Sequence, residues 1–268
     1  MRLSLNLEYW RSGWGEYFAM VIVALEQGWD YPPLKQVLQG NITASGVWEG
    51  EAPDYADDLA LIRLQILERQ QRFEEYLYLA EAEGQFTKHL TMLVRLDRVT
   101  EAMQAAQQEM STMEEALAFS QALINEQNAQ PEALAIAERG LDLPGRCQYD
   151  LATWTSEIAE EVGDLTLAIK AKIKAFQAQP SFADYRKVEQ LAQDNWSNIK
   201  GELLAALVSN TSWRTEQAQV DIYLYEGLID RAIATVDNFG YYRSNLVPRV
   251  MDAAIATHPD WVIKNAGD

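Results

Sequence analysis

Apolar residues recur every three to four positions along most of this chain, the signature of helices that bury one face. Leu59, Ile62 and Ile66 mark a helix over 55–70; Phe73, Tyr76, Leu77 and Ala80 mark one over 73–83. Leu90, Leu93, Val94 and Leu96 mark a third over 86–96, after which Asp97 can cap a fourth over 98–108. The pattern continues with a helix capped by Ser111 or Thr112, with Glu114 and Glu115 in its first turn, and one from Pro131 to a stop at Gly140. Further helices are expected over 149–162, 165–178, 182–193, 196–208, 213–226, 228–236 and 246–257, with a short last one after Pro259. Alternation of period two is nowhere sustained, and about fifteen helices without a strand is the expectation. Pro144-Gly145 makes 141–146 the clearest internal break.

Three stretches share a spacing. Leu79, Ile158 and Ile222 are each followed five residues later by Gly84, Gly163 or Gly227. Five residues after each glycine comes His89-Leu90, Ala168-Ile169 or Ala232-Ile233. One amphipathic helix ends at the glycine and a second begins two or three residues on, which is a helical hairpin.

The first fifth of the chain reads differently. Tyr9, Trp10, Trp14, Tyr17, Phe18, Trp29, Tyr31 and Trp48 concentrate aromatic rings there, with a helix expected over 16–27 and a helix start at Pro32-Pro33. Two parts follow: an aromatic-rich helical cap over 1–54 and a hairpin array over 55–268. A terminal cap closes the apolar end of a stack; the alternative is an aromatic ligand pocket beneath Trp10, Trp14, Trp29 or Trp48. Glu49, Glu51, Asp54, Asp57 and Asp58 lack the ligand spacing of a calcium loop and suit the dipole at a helix start.

Composition narrows the function classes. Of 268 residues, 22 are Lys or Arg and 40 are Asp or Glu, a formal charge of −18. Such a surface repels phosphate backbones, so direct nucleic-acid binding by this segment is not expected. It keeps an exposed helical surface in solution, or docks a basic partner. Cys147 is the only cysteine, which excludes an internal disulfide and fits a reducing compartment. No run from Met1 has the form of a secretory signal, and the apolar stretch 18–25 is too short to span a bilayer. The expectation is a cytoplasmic chain without a membrane partner.

The glycine spacing resembles the tetratricopeptide core, where a helix-ending glycine precedes a small residue at the closest helix crossing. Ala168 and Ala232 match that residue and His89 does not; Thr153-Trp154, Ala175 and Pro180 lie near family positions around Gly163. The three glycines are 79 and 64 residues apart, bracketing two 34-residue periods, so each gap should skip one hairpin. This resemblance implies an all-α, TPR-like α-α superhelix. A second likeness runs along nearly the whole chain. Gly28 to Pro33, Trp48-Glu49-Gly50, Ile66 to Gln70 and His258 to Val262 are similar to the helical C-terminal region of bacterial SWIM zinc finger proteins. That family binds zinc through a separate Cys-x-Cys and Cys-x-His motif, which a chain with one cysteine cannot form. No cofactor is therefore implied for this segment, and zinc only if such a motif stands elsewhere in a longer polypeptide. The ending at Ala266-Gly267-Asp268, just after a helix start, fits a piece of one.

Candidate chemistry is sparse. His89 and His258 are 169 residues apart with no metal-ligand spacing around them, and no phosphate-binding glycine loop or nucleophile elbow occurs. His89 reads as a packed, hydrogen-bonded residue at a hairpin crossing, and Cys147 has no acid-base neighbours in sequence. No residue stands out as catalytic. Lys170, Lys172 and Lys174, with Lys88, Arg95 and Arg98, are islands of positive charge. Lys170 and Lys174 share a helix face, where they could clamp a carboxylate or an acidic tail, or simply be solvated. Tyr223, Tyr225, Phe239, Tyr241 and Tyr242 form a second aromatic group, read as core between hairpins or as a contact patch. The expected function is a non-catalytic scaffold that presents a surface to a protein or peptide, with Lys170, Lys174, Trp29 and Tyr31 as contact candidates. The rivals are an enzyme or ligand-binding domain under the Trp-rich N-terminus, and a region supporting a nucleic-acid-binding zinc motif elsewhere.

Overall fold

The computed structural model describes residues 28–43, 46–209, 215–238 and 245–266. The helix expected over 16–27, the rings of Trp10 and Trp14, and Phe239, Tyr241 and Tyr242 lie outside these residues. Among the described residues all regular structure is helical, in fifteen α-helices and one short 3-10 turn. The chain divides into two compact units, Met1–Met110 with Ala118–Glu132, and Ser111–Leu117 with Ala133–Asp268.

The first unit holds α1 (Pro32–Leu38), α2 (Ala56–Arg69), α3 (Phe73–Ala82), α4 (Phe86–Arg95) and α5 (Val99–Glu109). Helix α6 (Met113–Gln127) is divided between the units after Leu117, and α7 (Gln130–Gly140) after Glu132. The second continues with α8 (Gln148–Glu161), α9 (Leu165–Ala178), α10 (Phe182–Ala192) and α11 (Trp196–Ser209). It ends with α12 (Glu216–Tyr225), α13 (Ile229–Asn238), α14 (Leu246–Ala254) and α15 (Pro259–Asn265). Successive helices pack from α2 to α5, from α8 to α11 and from α12 to α15, and several also reach the next but one: α1 with α3, α9 with α11, α10 with α12, and α12 with α14.

The helix ends repeat one device. Gly84, Gly163 and Gly227 have φ of +65°, +84° and +69°. The amide after each reaches back to close a Schellman motif: Gln85 donates to Ala80, Asp164 to Ala159 and Leu228 to Tyr223, each at 2.8 Å. An added Cβ would meet nothing within 4 Å at any of the three, so glycine is favoured there by its backbone angle and not by crowding. Two more helices end the same way without glycine. Gln71 and Asp97 hold φ of +59° and +62°, with Arg72 donating to Leu67 and Arg98 to Leu93. Asp97 is thus the left-handed terminator of α4, and not the cap of α5 that its residue type indicated. The N-cap of α5 is Arg98, with no side-chain bond.

Other sequence signals are realised directly. Glu115 accepts from the amides of Ser111 (2.8 Å) and Thr112 (3.0 Å), while its own amide donates to the Thr112 hydroxyl, a capping box at the start of α6. Asp57 and Asp58 fall in the first turn of α2. The Pro144-Gly145 turn separates α7 from α8 and is stitched to α6, with Met113 N–H donating to Pro144 O and Arg146 N–H to Glu114. The repeat interval is less regular than expected. Between the Gly163 and Gly227 hairpins lies one further pair, α10 and α11, as a 64-residue gap requires. Between the Gly84 and Gly163 hairpins lie three helices, α5 to α7, one more than a pair.

The second unit's core gathers Phe176, Tyr185, Val188, Leu203, Leu207, Val220 and Ile222, all buried. Tyr185 stacks edge-on against Trp196 at 5.0 Å between ring centres, and its hydroxyl donates to Glu226 at 2.8 Å.

Candidate functional site

Helix α9 brings together most of the chemistry that the sequence offered. Ala168, Ala171 and Ala175 are fully buried, and the Ser156 hydroxyl of α8 donates to Ala168 O at 2.9 Å. Small side chains let α8 approach α9 closely, the role anticipated for Ala168. Ala232 is equally buried in α13. His89, at the matching place in α4, is half-buried, with Nδ1 3.3 Å from Leu77 O. It acts as a packed, hydrogen-bonded residue.

A different face of α9 is open. Thr166, Ile169, Lys170, Ile173, Lys174 and Gln177 follow one another at steps of three and one, a single stripe on a helix of 3.6 residues per turn. They line a groove of about 340 Å³ with Glu202 of α11 on its far side. Ile169 and Ile173 are half-buried and form its apolar floor, while Lys170, Gln177 and Glu202 are exposed.

Lys170 and Lys174 do share this face, and the chain's own acids already meet them. Lys170 Nζ lies 2.8 Å from Glu138 of α7, and Lys174 Nζ lies 2.7 Å from Asp142 and 3.2 Å from Leu141 O. The hydrogen bond to Glu138 raises the Lys170 ammonium above its ordinary pKa, and the bond from Lys174 holds Asp142 below the usual carboxylate range. The side chains remain 44% and 25% exposed. On the opposite rim Glu202 accepts from the neutral amide of Gln177 at 2.9 Å.

Lys172, between these two lysines, turns about 200° away and is buried. It pairs with Asp184 at 2.5 Å; the two side chains are 10% and 6% exposed. Asp184 also accepts from the Ser181 hydroxyl (2.6 Å) and the Tyr149 hydroxyl (3.3 Å), so each of its oxygens has a donor. Periodicity shows that Lys172 leaves the 170/174 face. Nothing in sequence reveals that Asp184, on another helix, receives it. The groove's apolar floor and Glu202 were likewise missed, because a rim built from two helices has no sequence spacing.

Trp29 and Tyr31 belong to the other unit and are both half-buried. The Arg72 guanidinium covers the Trp29 ring at 5.0 Å and is held by Glu75, leaving that ring as packing more than as platform. Tyr31 is the N-cap of α1, its carbonyl accepting from Lys35 N–H at 3.0 Å. Trp48 is 9% exposed, and its indole N–H donates to Glu83 at 3.2 Å while Val47 N–H donates to the other carboxylate oxygen at 3.0 Å. Burial pushes the Glu83 carboxyl above its ordinary range, partly offset by these donors and by the buried Arg63 nearby. The rings of Trp29 and Trp48 are thus engaged in packing and hydrogen bonding.

In the second aromatic group Tyr223 is buried, whereas Tyr225 is 42% exposed beneath the Arg186 guanidinium, with its hydroxyl donating to Glu189. Burial raises the pKa of the Cys147 thiol, with the nearby Glu114 carboxylate acting in the same direction. Among the described residues no three His, Cys, Asp or Glu side chains come together to hold a metal ion, and no helix is long and apolar enough to cross a membrane.

No protein-family model matches this chain. No curated protein matches its sequence.

Proposed function

We propose that this chain is a non-catalytic interaction module, a TPR-like α-α superhelix that holds a protein or peptide partner on an exposed helix face. In this reading it is one segment of a larger protein of the SWIM zinc finger type, with any zinc bound outside the segment and no contact to nucleic acid by the segment itself. The observation that carries the reading is the α9 stripe. A helix packed on three others keeps two half-buried isoleucines and two lysines turned to a groove. An apolar floor with charged rims is the arrangement by which helical-repeat proteins seat extended or helical peptides. The runs in which helices pack on their neighbours and next-but-one neighbours, α8 to α11 and α12 to α15, support the superhelical part.

The experiment is selection of a displayed random peptide library on the immobilised 268-residue chain, followed by hydrogen exchange of the chain with the best peptide. Enrichment of related sequences, with slowed exchange along helix faces, is expected. A library from which nothing enriches beyond an acidic helical control protein overturns the proposal.

A further inference from the structure

The turn between α10 and α11 is made at one residue, whose side chain is poorly suited to the angles it holds. Gln193 has φ +47° and ψ −119°. Gln71 and Asp97 also have positive φ, but each of them ends its helix in a Schellman motif. Gln193 instead takes the angles of the first central position in a type II′ turn, which glycine dominates and a side chain opposes. On either side the chain is already helical, with Ala192 at φ −71°, ψ −26° and Trp196 at φ −52°, ψ −44°. The Gln193 N–H still donates to Glu189 O, as it does inside a helix. The sequence through this turn is that of a single helix. From Ser181 to Lys200 it has neither glycine nor proline. Tyr185, Val188, Ala192, Trp196, Ile199 and Leu203 follow at steps of three or four, so the apolar period runs unbroken through the bend, and all six belong to one core. Gln193, Asp194 and Asn195 are exposed and take no part in that core. Rotating Gln193 into the right-handed region joins α10 and α11 into one helix over 182–209, and pairs backbone groups that two helix ends leave open.

We propose that Gln193 is the hinge of a domain swap, in which α10 and α11 straighten into one helix and two copies of this chain exchange α11 to α15. Within one chain α11 packs on α9 and α12 on α10, and the swap remakes both contacts between the copies. A second copy therefore fits the surfaces that the departing helices uncover, without any new interface. The dimer gains two relaxed hinges, and short strained hinges favour such exchange. The closed monomer keeps the advantage at low concentration, because it loses no translational freedom to association. In the dimer the α9 groove is completed by the second copy, since its far rim, Glu202, lies on α11. The inference goes beyond the peptide-binding reading and does not depend on it.

The test uses the full chain, unfolded in urea, refolded at low and at high protein concentration, and resolved by size-exclusion chromatography with light scattering. A dimer that grows with refolding concentration and persists after dilution is expected. Its topology is read between α9 and α11, where the Gln177 and Glu202 side chains lie 2.9 Å apart. With Cys147→Ser, Gln177→Cys and Glu202→Cys, a short bismaleimide should link the two positions within one chain in the monomer and between chains in the dimer, as seen on a denaturing gel. Gln193→Gly accepts the turn and weakens the straight helix. It should lower the dimerisation constant about tenfold for each hinge, or about a hundredfold for the two. Gln193→Ala with Asp194→Ala and Asn195→Ala strengthens the straight helix and should raise the dimer fraction. Three results would each overturn the assignment: parent and triple-alanine chains that stay monomeric at every concentration, a dimer whose link stays within each chain, or a Gln193→Gly chain that dimerises as well as the parent.

Discussion

At the residue scale, burial and charge are matched in ways that single positions do not announce. Lys172 and Asp184 illustrate the limit of sequence. Helical geometry sends Lys172 away from Lys170 and Lys174, but only the packed structure supplies an acid with two further donors, and an unpaired buried charge would cost several kcal/mol. Glu83 has the opposite balance. Its two donors and Arg63 favour the carboxylate, yet burial is the largest influence and leaves the pKa raised. A carboxyl whose folded pKa exceeds its unfolded value contributes stability that is complete below the unfolded value and is lost as pH rises through the folded one. Glutamine at this position does not titrate. Glu83→Gln should therefore gain stability relative to the parent as pH is raised from 4 to 7, read as the difference in urea midpoint at each pH. A difference that moves the other way would mean that the Val47, Trp48 and Arg63 interactions outweigh burial.

At the scale of elements, most helices were legible from their apolar period, and the ends most sharply marked were those that carry glycine. Gly84, Gly163 and Gly227 marked three hairpins because the left-handed angle favours glycine strongly enough to leave a trace. Gln71 and Asp97 take the same angle at the same place and leave none, and Asp97 imitated an N-cap. The α9 stripe was half legible. Lys170 and Lys174 share a face by spacing, but Glu202 joins them from α11 through tertiary packing. An L-residue in the left-handed region costs roughly 1–2 kcal/mol, offset in part by the extra unfolded-state freedom of glycine, about 0.5–1 kcal/mol. Asp97→Gly should thus stabilise the chain by about 0.5–1 kcal/mol, and Gly163→Ala should destabilise it by about 1 kcal/mol, measured by denaturant unfolding. Space is not at issue for Gly163, where an added methyl meets nothing within 4 Å. Equal effects of the two substitutions would show that these ends are held by their neighbours and not by the backbone angle.

For the whole molecule, charge sets the balance. Forty acidic residues against twenty-two basic ones leave eighteen negative charges without a counterpart. Several surface pairs offset this locally, including Lys187 with Glu160 and Arg98 with Glu74 and Glu101, but exposed pairs contribute only about 0–1 kcal/mol each. The summed repulsion opposes every compact state, because folding brings like charges closer than the open chain holds them. Salt weakens both terms, and they respond differently. Contact pairs lie well within the screening length of about 8 Å at physiological salt, whereas the unmatched charges act over the longer distances that salt removes first. The thermal midpoint should therefore rise as sodium chloride increases from about 10 mM to about 200 mM, where the screening length falls from about 30 Å to below 8 Å. Sodium sulfate at equal ionic strength should give the same early rise, which separates screening from surface exclusion. A midpoint that falls over this range would mean that the ion pairs between helices, and not the net charge, dominate the electrostatics of the fold.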